Sequence, residues 1–403
     1  MKIMINVSGT LGDVSPMVAL GSYLKNQGHR VLLCASPKND ELVAKNNLEY
    51  KSAGLDWDDH LFKKMENIRD PKVINSITKE FFREEVSLQF TQLFTEMYEA
   101  DLILSAGFQF ASSTLAEYLN IPYRHIFHFP QMLKSSLQPP PGIWKKLPKF
   151  VNDFLWKRND LYYNDLLLDL INQNRRKLNL KDITNTWNCI NDKVILAFDK
   201  PLAELPSDVK SDVIQTGYPY IQGADELEEK LVRFIENGTP PIYLGFGSTP
   251  NFLQENLNNI LSDLINIGGL RIVVSKGWGN LGEGLHHNNI YPIDYVTYSK
   301  LFPKMGLLIH HGGVGTTHCA ARSGVPQIII PHIADQFFWG ERIYRLKLGP
   351  KPLNIFTLTS KEIIDRVNLV NSNPEFKINA MNMAKELIKI DGLKEISDYV
   401  GNV

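Results

Sequence analysis

Residues 1–36 read MKIMINVSGTLGDVSPMVALGSYLKNQGHRVLLCAS. Residues 2–7 form a short, mostly apolar run of strand length, and 8–13, SGTLGD, make a glycine-rich turn. Ser15 and Pro16 then open a helix, because serine caps helix N-termini and proline is tolerated at the first helical position. Val18, Leu20, Tyr23 and Leu24 give that helix an apolar face, and Gly28 suits its C-terminal cap. Residues 30–35 return to strand. Strand, turn, helix and strand are the unit of a parallel sheet covered by helices.

The same unit recurs outward from this start. Strands are expected at 101–105, 123–127 and 194–198, with a helix at 112–119. Residues 200–225, with Pro201, Pro206, Gly217, Pro219 and Gly223, read as a linker. Beyond it the alternation restarts: strands at 242–245, 271–275, 306–310 and 327–330, and helices at 253–267, from 315, at 337–346 and from 360 onward. The expected fold is α/β, two doubly wound, Rossmann-like domains facing a cleft. The domains are expected at 1–218 and 219–376, with a last helix in 377–403 packing back on the first. Residues 131–180 break the rhythm with Pro139, Pro140, Pro141 and Gly142, then aromatic and basic side chains. They read as an insertion that shapes a pocket or rests on a surface.

Composition narrows the class. A chain of 403 residues is too long for one core and suits two. With 43 basic and 44 acidic residues the net charge is −1, without the basic excess of a nucleic-acid binder. Cys34, Cys189 and Cys319 lie far apart, which argues against a disulfide-built fold or a cysteine-rich zinc site. The opening residues read as a strand rather than a signal peptide, and no run of about 18 apolar residues is expected to span a membrane. A cytoplasmic protein is expected.

In such sheets ligands bind at the carboxyl ends of the strands, so the strand-to-helix turns carry the chemistry. The turn 8–13 lacks the GxGxxG spacing of a dinucleotide site, and the second strand ends without the acid that would hold a ribose. Asp13 has two readings: a charge placed favourably near a helix N-terminus, or a general base at the cleft. At 245–250, GFGSTP, Thr249 and Pro250 start a helix whose free N–H groups and Ser248 hydroxyl could hold a phosphate. At 310–317, HHGGVGTT, a strand runs into glycines and a helix, again an anion cradle. The paired histidines point to opposite sides of the strand and have no acidic or cysteine ligand nearby, so no metal site is expected. Asp335 and Gln336 offer an acceptor and a donor suited to sugar hydroxyls.

HHGGVGTT followed by GVPQIIIPHIADQFFWGERI resembles the donor-binding signature of the nucleotide-sugar glycosyltransferases with the GT-B fold. GTLGDVSPMVALGSYLKNQGHRVLLCASP is similar to the opening of their sterol and antibiotic branches. DLILSAGFQFASSTLAEYLNIPYRHIFHFPQ is most similar to the sterol glucosyltransferases. The resemblance spans nearly the whole chain and implies a metal-independent, cofactor-free, inverting transfer of a hexose. Its donor would be a nucleotide sugar, UDP-glucose foremost, and its acceptor an apolar small molecule or a lipid.

That resemblance puts Asp13 in the place of the catalytic base. It implies that Thr10 and Gly12 help bind the donor and that Ser248, His310, Gly313, Val314, Gly315 and Thr316 surround its diphosphate. Asp335 and Gln336 would hold the sugar, and Trp278, Val296 and Tyr298 the base and ribose. The chain departs from the sterol pattern at Thr10 and Leu11, where serine and arginine are usual, which removes a cation near the donor. Ala106 stands where many relatives keep an aspartate that orients a histidine base, and an aspartate base needs no such partner.

Phe127, Phe129, Met132 and Trp144, with Phe150, Phe154 and Trp156, supply aromatic and apolar surface either for an acceptor pocket or for ordinary packing. If the basic and aromatic residues of 143–158 share a face, that face either touches a membrane or is simply solvated. The competing functions are a glycosyltransferase of polyketide, peptide or carotenoid scaffolds using a UDP- or TDP-sugar, a GT-B sugar epimerase, and a non-catalytic sugar-nucleotide binder.

Overall fold

Within the opening run, alternate side chains leave the strand on opposite faces, and both faces are buried. The computed structural model describes residues 1–65, 68, 70–220, 223, 226–247, 254–277, 281–294 and 296–401. In β1 (Lys2–Ser8), Ile3, Ile5 and Val7 pack on Val14, Met17 and Val18 of helix Leu11–Asn26. Met4 faces the other way, into a core shared with helices Pro71–Gln92 and Lys149–Lys177. Burial on both faces is why such parallel strands are continuous apolar runs.

The first sheet continues with β2 (Arg30–Ala35), β3 (Glu49–Ser52), β4 (Leu102–Gly107), β5 (Tyr123–Phe127), β6 (Lys193–Ala197) and β7 (Asp212–Thr216). Among the described residues it has seven strands in the order β3-β2-β1-β4-β5-β6-β7, all parallel. The second comprises β8 (Ile242–Gly245), β9 (Ile272–Ser275), β10 (Ile290–Ile293), β11 (Leu307–His310) and β12 (Gln327–Ile329). Its order is β10-β9-β8-β11-β12, also parallel. In each sheet the strand order reverses once, between β1 and β4 and between β8 and β11. The register there sets Ser8 beside Gly107 and His310 beside Gly245. Ligands of such sheets bind at these switch points.

Helix Pro374–Leu387 packs on the second domain, against helix Val314–Ser323. Helix Gly392–Val400 crosses back: Ile396 and Val400 are buried in the core around β1, and the Arg124 Nε–H donates to the Tyr399 hydroxyl at 2.5 Å. The return to the first domain therefore starts at 392, not at 377.

Two further expectations need correction. The first helix begins at Leu11 rather than Ser15, because Thr10 and Asp13 close a capping box ahead of the serine. Residues 212–216, read as linker, form the edge strand β7, whose Asp212, Val213 and Ile214 pair with Lys193, Val194 and Ile195. The insertion is organised by a 29-residue helix, Lys149–Lys177. Among the described residues no helix is long and apolar enough to cross a membrane.

Candidate active site

The site begins at the end of β1. Thr10 is the N-cap of helix Leu11–Asn26, and Asp13 Oδ2 accepts from the Thr10 N–H at 2.9 Å and from its hydroxyl at 3.2 Å. Gly9 permits this: a Cβ there would lie 2.3 Å from Asp13 Oδ2. The charge at the helix start is thus engaged in a cap. Its Oδ2 caps the helix, while Oδ1 takes no part in that cap. The residue is half-buried, and enclosure of the carboxyl group pushes its pKa up to about 6 against the pull of the Thr10 hydrogen bonds. A carboxylate so tuned suits proton abstraction near neutral pH.

Beneath the turn lies a buried acid that sequence reading missed. Glu85, 1% exposed, accepts from the Ser8 hydroxyl at 2.5 Å, the Leu55 N–H at 2.6 Å and the Gln89 side chain at 3.1 Å. It ties the end of β1 to helix Pro71–Gln92. Nothing in its spacing along that helix marks it; only the fold brings it under Ser8.

Across the cleft, β11 delivers the glycine turn. His310 is fully buried, its Nε2–H donating to Gln327 Oε1 at 2.9 Å and its Nδ1 accepting from the Gly312 N–H at 3.1 Å. Both nitrogens are occupied in bracing the turn, so His310 does not face the cleft as a phosphate ligand would. His311 lies between two glycine turns: a Cβ on Gly313 would fall 2.5 Å from its Nε2, and the ring also lies against Gly247. Burial pushes the His311 pKa down to about 4, so the imidazole is neutral. Gly313 is the N-cap of helix Val314–Ser323, which aims the N–H groups of Val314, Gly315 and Thr316 at the cleft.

Asp335 closes the site. Ala334 before it holds a φ of 50°, a strained backbone for a residue with a side chain. The Asp335 pKa rises to about 7, first through burial and second through the Asp13 carboxylate, while the Val314 N–H pulls it down. The two acids thus face one another at the tip of helix Val314–Ser323. Gln336 Oε1 accepts from the N–H groups of His332 at 2.7 Å and Ile333 at 3.1 Å, holding the turn and leaving only its amide nitrogen for a ligand.

Tyr218, also unforeseen, rises from the first crossing between domains. Its ring stacks on His318 at 4.7 Å, its hydroxyl lies against Gly315, and Asp335, Asp13 and Asp199 all act on the phenol. Behind it, Arg322 binds Asp199 at 2.7 Å and the carbonyls of Leu387 and Ile390 at 2.6 and 3.2 Å, while the Tyr218 N–H donates to Asp199 at 3.1 Å. One guanidinium ties together both chain crossings.

The remaining expected residues divide. Gly12 is exposed in the first turn after Thr10. Val296 and Tyr298 lie on the second domain, Val296 lining a hollow of about 280 Å³ with Glu226 and Leu231. Tyr298 stacks on Phe302 and accepts from the Tyr243 hydroxyl at 3.0 Å. Ser248 and Trp278 lie outside the described residues. Of the acceptor candidates, Phe127 and Met132 are core, 3% and 8% exposed, because β5 and the turn after it are covered by helices. Phe129 packs on Phe338 at 6.3 Å, and Trp144 stacks on Phe337 at 4.0 Å, both reaching the second domain beside Gln336. Phe150 and Phe154 point to solvent, and Trp156 is buried. An aromatic group that the sequence did not single out, Trp57, Phe82 and Phe108, adjoins the Ser8 turn, where the Phe108 N–H donates to the Ser8 carbonyl at 2.8 Å.

Two parallel-sheet α/β domains, with Asp13 after the first strand of one and the N-terminus of helix Val314–Ser323 in the other, have the architecture of a glycosyltransferase of the GT-B type. Comparison with known proteins agrees. Residues 3–138 match the glycosyltransferase family 28 N-terminal domain, and 277–399 match the C-terminal domain of erythromycin biosynthesis protein CIII-like proteins. The chain belongs to these glycosyltransferases. It is 29% identical over 356 residues to the vancomycin aglycone glucosyltransferase of Amycolatopsis orientalis, covering 87% of this chain and 85% of that one. It is 27% identical over 429 residues to a sterol 3-beta-glucosyltransferase of Arabidopsis thaliana, covering 98% of this chain and 64% of the relative. Among solved structures, the calicheamicin glycosyltransferase superposes with a TM-score of 0.73 at 16% identity, over 100% of this chain and 97% of that one.

Proposed function

We propose that the protein transfers a hexose, foremost glucose from UDP-glucose, to a hydroxyl of a sterol-like or other apolar acceptor with inversion at the anomeric carbon. The observation that carries this is the pairing of Asp13, with a pKa of about 6, against the N-terminus of helix Val314–Ser323 across the cleft. The acceptor oxygen attacks the anomeric carbon as Asp13 Oδ1 takes its proton, with Oδ2 held by Thr10. The bond from the anomeric carbon to the diphosphate oxygen breaks, and the electron pair leaves with the diphosphate. The N–H groups of Val314 to Thr316, with the Thr316 hydroxyl and neutral His311, stabilise the charge that develops. Asp335 and the Gln336 amide nitrogen hold the sugar. The acceptor lies against Phe108 and Phe129, on the Asp13 side.

The likeness to both a sterol and an antibiotic enzyme supports transfer to a bulky apolar aglycone. The second reading, a natural-product scaffold glycosylated from a UDP- or TDP-sugar, is favoured by the likeness to the vancomycin aglycone enzyme. The test is a binding screen of UDP- and TDP-sugars without added metal, then each bound donor with pooled sterols and aromatic aglycones. A new glycoside from UDP-glucose and a sterol supports the first reading, and one formed only on aromatic aglycones supports the second. If no nucleotide sugar binds, the donor-site assignments fail.

A further inference from the structure

Helix Lys149–Lys177 turns three large apolar side chains to solvent at its N-terminal end. Phe150, Phe154 and Leu161 are 74, 58 and 69% exposed. Spacings of four and seven put them on one stripe of the helix, and Lys157 falls within it. The opposite side is firmly seated: Asn152 and Trp156 are buried, the Asn152 amide donates to the Ser136 carbonyl at 2.9 Å, and the Trp156 indole donates to the Gln138 carbonyl at 2.9 Å. The exposure is therefore fixed by the fold and does not come from a fraying end.

Charge on this face is lopsided. Residues 144–161 hold five cations, Lys145, Lys146, Lys149, Lys157 and Arg158, and two acids, Asp153 and Asp160, in a chain of net charge −1. Asp160 is already paired with Lys134 at 2.6 Å, and Asp153 accepts from the Ser136 hydroxyl at 2.6 Å. Further along the helix, Asp165 and Asp169 are taken by Lys79 and Arg83. The five cations are exposed and form no ion pair among the described residues. Aromatic side chains flanked by unneutralised lysines are complementary to an anionic lipid surface, where rings enter the acyl boundary and ammonium groups meet head-group phosphates.

We propose that the face from Trp144 to Leu161 docks on an anionic bilayer with the helix lying in the membrane plane. Trp144 stacks on Phe337, next to Gln336, so docking brings the mouth of the cleft to the lipid surface. This deepens the transfer reading, since an apolar acceptor then enters from the bilayer. The docking itself is read without any transfer.

The test is co-sedimentation of the full chain with phosphatidylcholine vesicles, with and without phosphatidylglycerol. Binding is expected on the anionic vesicles, at least about tenfold tighter than on neutral ones and weakened by salt. Each lysine among 145, 146 and 149 changed to glutamate is expected to cost roughly fivefold or more. The paired change Phe150→Ser and Phe154→Ser is expected to abolish pelleting without altering the melting temperature, because both rings are already in solvent. Equal binding to both vesicle types, or wild-type pelleting of the serine variant, overturns the proposal. So does a dimer in sedimentation velocity that the serine variant abolishes while vesicles bind nothing; the partner is then a second copy. Transfer to a soluble aglycone by the serine variant separates the two readings: it is unchanged if only docking is lost, and absent in the wild type if the transfer reading is wrong.

Discussion

Asp13→Asn should do two opposite things at once. Asparagine keeps an oxygen that can accept from the Thr10 N–H, now at 2.9 Å, so the helix start survives. The base is lost, and removal of a general base typically costs 10²- to 10⁴-fold in rate, about 3–5 kcal/mol of barrier. Stability moves the other way. Below the ordinary pKa of 3.8 the carboxyl is protonated in folded and unfolded chains alike, and above about 6 it is ionised in both. Between these values the unfolded chain releases its proton first, so native stability falls as pH rises through that window. The full difference corresponds to about 3 kcal/mol, which solvent screening of a half-buried group reduces to about 1–1.5. At pH 8 the variant is therefore expected to melt about 1–2 °C higher than the wild type, a gain absent at pH 4. The assays are UDP release with an active donor–acceptor pair and calorimetry at both pH values. Unchanged turnover would remove Asp13 from its role. An equal stability change at both pH values would refute the argument from its buried charge.

The pH profile of the wild-type enzyme follows from the same pair: kcat/KM is expected to rise between about pH 6 and 7 as the Asp13–Asp335 couple ionises, and a profile flat from pH 5 to 8 would contradict it. Gly9→Ala puts a methyl group 2.3 Å from Asp13 Oδ2 and must displace the carboxylate; a rate loss of about 100-fold with little change in melting temperature is expected. Asp199→Ala strands the Arg322 guanidinium, whose side chain is 12% exposed, at an expected cost of about 3–5 kcal/mol in urea unfolding. Adding Arg322→Leu should recover part of that loss.

The fold was legible because its strands are buried on both faces and bounded by glycine and proline, so that Tyr123–Phe127 and Ile242–Gly245 stand out from single residues upward. Edge strands are less apolar. Glu49–Ser52 has only Tyr50 to mark it, and Asp212–Thr216 was hidden among turn residues. The turns carrying Asp13, Gly313 and Asp335 were legible because a strand end, glycines and a helix start lie close in sequence there. Glu85 and Tyr218 were not, because their roles come from packing between distant segments. His310 was expected at the diphosphate from the resemblance alone, and its bonds to Gln327 and Gly312 come from strand pairing and from the turn's own closure.

The helix at 392–400 makes the donor half, in topological terms, an insert. The chain leaves the first domain after β7, builds the second, and only then supplies Ile396 and Val400 to the core around β1. During synthesis, at about 5–20 residues per second, that core therefore waits roughly 10–40 s for its last piece. For the same reason, exchanging donor halves between relatives calls for two cuts, one near Gly217 and one near Gly392, where the two crossings already touch. A single cut after the first domain would take with it a helix that belongs to the part left behind.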